Sequence, residues 1–137
     1  MLLQTLDVFF FVFHTAWIIF VLVGWAHPRT RRWHLAATLL TVFSWVGLAY
    51  WYGWGYCPCT DWHWRVREAM GHPPQYMSYT RFLVENLLPV TISRFYVDAM
   101  TVIGLVLATA TSILLNTLSL RRRETETVAA TPRKSVE

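Results

Sequence analysis

Cys57, Cys59 and His63 are the side chains whose types and spacing best fit metal or redox chemistry in this sequence. Two thiolates and an imidazole are suitable ligands for zinc or copper. The spacing is not that of a standard closed zinc site, so His72 or Asp61 would have to fold back as a fourth ligand. A disulfide is a second option, although a loop with one intervening residue strains its geometry. A third is two small apolar residues at a helix end, next to a proline turn.

His14 is an ionisable side chain in the middle of an apolar segment, and such residues face protein or a cavity in membranes. Its ring could ligate a metallated tetrapyrrole as a bound pigment or haem. Alternatively, a neutral His14 is hydrogen-bonded to a neighbouring helix, at Ser44 or Thr41. His34 lies about 18 Å away along the membrane normal, so a bis-His haem within the chain is not expected. No Cys-x-x-Cys-His motif is present.

Other catalytic patterns are missing from the sequence. We find no paired carboxylates, Ser-His-Asp set or glycine-rich phosphate loop in a suitable context. Hydrolases and nucleotide-dependent enzymes are therefore not supported, and we predict that the chain is not an enzyme.

The composition places these residues in an integral membrane protein. Apolar residues make up 55% of the 137 residues and charged residues 15%, with a mean hydropathy of +0.34. A soluble domain of this length could not bury so much apolar surface. A spanning helix needs about 20 predominantly apolar residues, and the segments 7–26, 34–56 and 96–120 meet this requirement. The sequence predicts an all-α membrane bundle of three transmembrane helices within residues 1–120.

The distribution of charge predicts the orientation of these spans. The loop between the first two spans has a net charge of +3 and the tail from residue 121 has +2, whereas the long loop with the start of the third span is neutral. Loops rich in arginine face the cytoplasm. We therefore predict a periplasmic N-terminus and a cytoplasmic C-terminus. The net charge of +4 is explained by this topology, and nucleic-acid binding is not expected.

The other segments form an outer loop and a tail. The loop over residues 57–95 is expected to contain two short interfacial helices, at residues 61–70 and 79–88, that lie on the membrane surface. Whether residues 80–92 lie on the membrane or dip into it stays open. The tail over residues 121–137 is rich in Glu, Thr, Ala and Pro, which predicts a flexible cytoplasmic segment.

A stripe of small residues on the third span is suited to close helix packing. Gly104, Ala108 and Ser112 recur every four residues, the small-xxx-small spacing of membrane helix interfaces. The stripe fits packing within the bundle and packing on a partner subunit equally well.

An aromatic stripe follows the first span. Phe9, Phe13, Trp17 and Phe20 recur at near-helical spacing. Contact with lipid is one interpretation, and a planar ligand such as a pigment, carotenoid or quinone is the other.

A resemblance to a known family covers residues 5–120. It centres on the segment CPCTDWHWRVREAMG, which follows GWGY and precedes SYTRFLVENLLPVTISRFYVDAMTV. The chain is similar here to DUF2784, a family of uncharacterised bacterial membrane proteins. The residues that match the family pattern are His14, His34, Leu35, Cys57, Pro58 and Thr60. The resemblance implies a bacterial inner-membrane protein, and the family more commonly has Leu where Cys59 stands.

Abundant packing faces without catalytic groups predict a non-catalytic function. We expect an accessory or structural subunit on a larger inner-membrane energy-transducing complex, either a photosynthetic reaction centre or antenna or a respiratory complex. Its partners would be the lipid bilayer and other membrane subunits. The alternative is a redox, metal- or pigment-binding protein that uses Cys57, Cys59 and His63, or His14. A transporter or channel is a third class, and it would require oligomers because three spans enclose no obvious path.

Overall fold

The computed structural model of the chain is all-helical over the residues it describes, which are 1–73, 78–87 and 93–130. The predicted all-α class is confirmed for this part of the chain. A π-helical turn, Phe43–Gly47, also lies in the chain between the second and third α-helices. The helices are α1 (Leu2–Val23), α2 (Arg31–Val42), α3 (Ala49–Tyr52), α4 (Pro58–Ala69), α5 (Tyr79–Leu87) and α6 (Arg94–Ala130).

In the part of the chain that the structure describes, two helices are long and apolar enough to cross a membrane. They are α1, with 22 residues, and the part of α6 over Arg94–Thr127, with 34 residues. Only 11% and 22% of their most apolar stretches are buried within the chain. The core helix of a soluble protein is mostly buried, so these two helices differ from it in that respect.

The segment predicted as the second span, residues 34–56, is not one continuous helix. The structure divides this region into α2, the π-helical turn and α3. A spanning helix needs about 20 residues, and each of these pieces is shorter. The chain then leaves α3 at Gly53, whose φ of 90° is readily adopted only by glycine. Within the described residues, two helices rather than three therefore qualify as spanning helices by length.

The last helix is longer than the sequence predicted. The third span was expected to end at residue 120 and to be followed by a flexible tail, but α6 continues to Ala130. Arginine and glutamate are good helix formers, and Arg122 Nε donates to Glu126 Oε1 at 3.2 Å, four residues along the helix. Residues 131–137 lie outside the described part of the chain.

The two short helices of the outer loop are present, as α4 and α5, and they form part of the core. The sequence predicted that they lie on the membrane surface, yet their inner faces pack against the first helix. Pro89, the predicted end of the second, lies outside the described residues. The side chains that come together are Tyr79, Phe82 and Leu83 of α5, Trp64 of α4, and Phe11 and Ile18 of α1. Elsewhere, α2 packs along α6.

Candidate functional site

A carboxylate on α1 holds two basic side chains of α4. Asp7 Oδ1 accepts a hydrogen bond from His63 Nε2 at 2.8 Å and from Arg67 Nη1 at 3.3 Å. His63 and Arg67 are four residues apart and so lie on the same face of α4. His63 is fully buried, whereas Asp7 and Arg67 are partly exposed. This contact joins residues that are 56 and 60 positions apart in the chain.

Aromatic rings surround His63. Its ring centroid lies 5.3 Å from that of Trp64, 5.9 Å from Phe10 and 6.2 Å from Phe82. The guanidinium carbon of Arg67 lies 4.8 Å above the ring of Phe82, within the range of a cation–π interaction. The imidazole therefore faces a carboxylate on one side and aromatic surface on the others.

His14 belongs to the same region through Tyr79. The two rings are stacked, with centroids 3.9 Å apart and planes at 5°, and Tyr79 also lies 5.8 Å from His63. The Tyr79 hydroxyl donates to the Phe11 carbonyl at 3.2 Å, and burial raises the pKa of this phenol above its usual value. We refer to Asp7, His14, His63, Arg67 and Tyr79 together as the polar cluster.

The sequence prediction for the partners of His14 does not match the structure. Thr41 Oγ1 accepts from Trp17 Nε1 at 3.1 Å, and Ser44 Oγ donates to the Tyr56 carbonyl at 2.8 Å. Sequence reasoning also separated His14, in the membrane, from His63, in the outer loop. The structure brings them together because α4 folds back along α1.

Three ring nitrogens in and beside the polar cluster are buried without a hydrogen-bond partner among the described residues: His14 Nδ1, His63 Nδ1 and Trp64 Nε1. Buried polar atoms are nearly always paired in proteins. An indole N–H only donates, whereas His63 Nδ1 accepts when Nε2 donates its proton to Asp7. A hydroxyl group satisfies both kinds of atom, whereas a metal ion satisfies only the imidazoles. The cluster therefore has unused hydrogen-bonding capacity.

Cys57 and Cys59 are free thiols at the start of α4, and both are partly buried. Burial, followed by the neighbouring Cys57, raises the pKa of the Cys59 thiol, which disfavours the thiolate that binds metals. Among the described residues, no three His, Cys, Asp or Glu side chains are grouped so that they could hold a metal ion. His63 Nε2 is already hydrogen-bonded to Asp7. The metal site of Cys57, Cys59 and His63 proposed from the sequence stays a prediction.

His34 joins three helices, a role that sequence reasoning missed. It is fully buried at the start of α2, with Nε2 2.8 Å from the Val21 carbonyl of α1 and Nδ1 2.9 Å from Ser112 Oγ of α6.

Ser112 belongs to the small-residue stripe, and Ala108 is buried one turn earlier. A Cβ on Gly104 would lie 3.4 Å from Leu22 Cδ2. The structure thus places the stripe inside the bundle.

The aromatic stripe of α1 is partly exposed. Phe9 and Phe13 are stacked at 6.0 Å, and Phe13 lies 6.1 Å from Trp17. Phe20 does not continue this row of ring contacts. Its ring packs edge-on against that of His34, with the centroids 5.8 Å apart. The stripe therefore has an exposed part, Phe9 and Phe13, and an inner part near α2.

Comparison with known proteins identifies a family but no characterised relative. Searches of curated proteins and of solved structures found no match. Residues 4–117 match a family described as "Protein of Unknown function (DUF2784)". This match includes the polar cluster, the His34 contact and both cysteines, and the chain belongs to the DUF2784 family.

Proposed function

We propose that the chain is a membrane-embedded, non-catalytic subunit that packs on a larger inner-membrane assembly. The observation that supports this most is the inverted distribution of polarity. Polar side chains such as His34 and Ser112 are fully buried between helices, while large apolar side chains on α1 and α6 are exposed. Soluble monomers rarely expose contiguous apolar surface of this kind.

The proposed topology has three crossings, with α2, the π-helical turn and α3 together forming the second. These elements run from residue 31 to residue 52. At 1.5 Å per residue this is about 33 Å, close to the about 30 Å of the hydrocarbon core. The basic α1–α2 loop then lies in the cytoplasm, and α4 and α5 pack into the bundle from the periplasmic side, against α1.

The proposed docking surface for the partner is the exposed part of the aromatic stripe. Phe9 is 56% exposed although it is held in a stack with Phe13. Aromatic side chains supply a large contact area at low entropic cost, and they dominate many interfaces. That the assembly is energy-transducing remains a prediction from the sequence.

Purification of the tagged chain in mild detergent tests this proposal. We expect it to migrate in a complex much larger than 16.0 kDa, with partner subunits that mass spectrometry identifies. The double variant Phe9→Ala/Phe13→Ala should release the chain from that complex.

The matched control is Leu107→Ala/Leu114→Ala on α6, since these side chains are similarly exposed. It should leave the complex intact. A chain that migrates alone in native detergent extracts would overturn the proposal, and equal loss of the complex in both variants would remove the assignment of the docking surface.

A second candidate function is ligand binding or redox chemistry at the polar cluster. The specific observation in its favour is the unpaired Nδ1 atom on both His14 and His63. If this function is correct, the purified chain has a stoichiometric metal ion or an absorbing ligand, and His63→Gln loses it. The variant Arg65→Gln, on the exposed face of the same helix, should retain it.

A further inference from the structure

Six arginine side chains gather at one end of the bundle. One is in the segment that joins α1 to α2, two are the first residues of α2, and three follow one another near the end of α6. We call them the arginine surface: Arg29, Arg31, Arg32, Arg121, Arg122 and Arg123. The polar cluster lies toward the other end of α1, so this surface is separate from it.

Hydrogen bonds hold the loop part of this surface in place. Thr30 Oγ1 donates to the Gly24 carbonyl at 2.6 Å, and Arg31 Nε donates to the Trp25 carbonyl at 3.2 Å. Asn116 Nδ2 of α6 donates to the Arg31 carbonyl at 3.1 Å. The last bond ties α6 to the start of α2, although Asn116 and Arg31 are 85 positions apart.

The two groups of arginines are offset along α6 by a distance that their side chains can bridge. Arg121, Arg122 and Arg123 follow Asn116 by five to seven residues, which is about 8–10 Å along a helix. The headgroup layer on each side of a bilayer is about 5–8 Å thick, and an arginine side chain spans most of that distance by itself. Both groups can therefore reach the same layer of lipid phosphates.

Most of this positive charge is not neutralised within the chain. The side chains of Arg29, Arg32, Arg121 and Arg123 are exposed and have no ion-pair or hydrogen-bond partner among the described residues. Arg122 is the exception, since it pairs with Glu126 at 3.2 Å. Trp33, 74% exposed beside Arg32, is a residue type that is enriched at the headgroup level.

We propose that the arginine surface binds the phosphate groups of anionic phospholipids in the cytoplasmic leaflet. Guanidinium groups match phosphate oxygens in a two-bond geometry, and basic clusters next to a membrane helix attract anionic lipids. The partner is a lipid because the surface lies where the exposed apolar faces of α1 and α6 end. This inference rests on the proposed membrane topology.

Native mass spectrometry of the purified full chain tests this proposal. The chain in mild detergent is titrated with phosphatidylglycerol and, separately, with phosphatidylcholine of the same acyl chains. We expect tighter binding of phosphatidylglycerol, and weakening of this preference at 1 M salt, where charges are screened within about 3 Å. Glycerol 3-phosphate, the soluble headgroup analogue, should compete only weakly because it lacks the acyl chains.

Two double variants with the same loss of charge locate the binding. Each arginine near an anionic surface changes binding by about fivefold, so Arg32→Gln/Arg123→Gln should weaken binding of phosphatidylglycerol by about 25-fold. Arg65→Gln/Arg94→Gln removes two exposed arginines from the opposite side and should change binding by less than about twofold. Circular dichroism of each variant verifies that the helices remain.

The outcomes separate this inference from the proposed function. Equal binding of the two lipids by the wild type, equal effects of the two double variants, or glycerol 3-phosphate binding as tightly as the lipid would each overturn the inference. Alkaline extraction of membranes tests the topology independently. Release of the chain into the soluble fraction would contradict the membrane topology, whereas a retained chain without lipid preference contradicts only the inference.

Discussion

At the residue scale, His34 shows how the two ring nitrogens of one side chain can connect three helices. The Val21 carbonyl can only accept, so His34 Nε2 carries the proton and donates it. Nδ1 pairs with the Ser112 hydroxyl, which can both donate and accept. Both ring nitrogens therefore have a partner within the bundle, as buried polar atoms require.

Replacing Ser112 with alanine tests this contact. The variant leaves Nδ1 of His34 without its partner, so we expect a loss of about 1–3 kcal/mol in the free energy of unfolding. Thr117→Ala on the same helix is the control, because that exposed hydroxyl bonds only to carbonyls of its own helix, and it should change stability by less than about 0.5 kcal/mol. Unfolding of the detergent-solubilised chain, followed by circular dichroism, measures both. Equal effects would contradict a role in joining helices.

Burial has a second consequence at His63. It lowers the pKa of this imidazole from its ordinary value of 6.5, against the opposing effect of Asp7 and with a further lowering by Arg67. The folded chain therefore binds a proton less readily than the unfolded chain. The contribution of His63 to stability is complete above pH 6.5 and is lost as the pH falls below it.

The pH dependence of unfolding provides the measurement. Between pH 7.5 and pH 5 the melting temperature of the wild type should fall, and that of His63→Gln should fall less. His27→Gln, which changes an exposed histidine, should follow the wild type. The same pH dependence in all three proteins would show that His63 does not contribute to it.

At the scale of elements, the attachment of α4 to α1 depends on Asp7. Two donors of α4 share this carboxylate, while among the described side chains Asp61 on α4 pairs only with Arg65 of the same helix. Charge-assisted hydrogen bonds are the stronger kind. The loss of Asp7 should therefore loosen the contact between the two helices, whereas the loss of Asp61 should not.

Cys59, partly buried at the start of α4, can report on this loosening. In a Cys57→Ser background, Asp7→Asn should increase the rate of maleimide labelling at Cys59 severalfold, because burial slows the reaction of the thiol. Asp61→Asn in the same background should label at the parent rate. Unchanged labelling in Asp7→Asn would show that α4 does not depend on this carboxylate.

Sequence patterns locate elements better than they locate contacts. Hydropathy indicated α1 and α6, and cap and breaker residues indicated α4 and α5, because these signals lie within each segment. The polar cluster and the His34 contact could not be predicted in this way. Asp7 and His63 are 56 positions apart and His34 and Ser112 are 78 apart, and His34, next to Trp33, has the local sequence of an interfacial residue.

The interruption of the second predicted span was also invisible to hydropathy. The sequence there is predominantly apolar and aromatic, and its hydropathy does not distinguish α-helical hydrogen bonding from the π-helical turn at Phe43–Gly47. Likewise, the charged residues after Leu120 predicted the end of the third span, which stays a prediction. They did not predict the end of the helix, because arginine and glutamate are good helix formers and continue α6.

At the scale of the whole molecule, the proposed topology places the two ends of α2–α3 on opposite sides of the membrane. The α1–α2 loop holds Arg29, and the segment between α4 and α5 holds His72; both side chains are exposed. A substituted cysteine at each position can therefore distinguish the two compartments.

The test uses a Cys57→Ser/Cys59→Ser background and a membrane-impermeant maleimide. In intact cells, His72→Cys should be labelled and Arg29→Cys should be protected, because the bilayer separates them from each other. Inverted membrane vesicles should reverse the result. Labelling of both positions in intact cells would exclude the proposed three crossings.

The contact between Ser112 and His34 also has a mechanical consequence. Ser112 is the midpoint of α6, eighteen residues after Arg94 and eighteen before Ala130. Each half is about 27 Å long. In the proposed topology, a displacement of either end of α6 therefore reaches the His34 contact over the same length of helix.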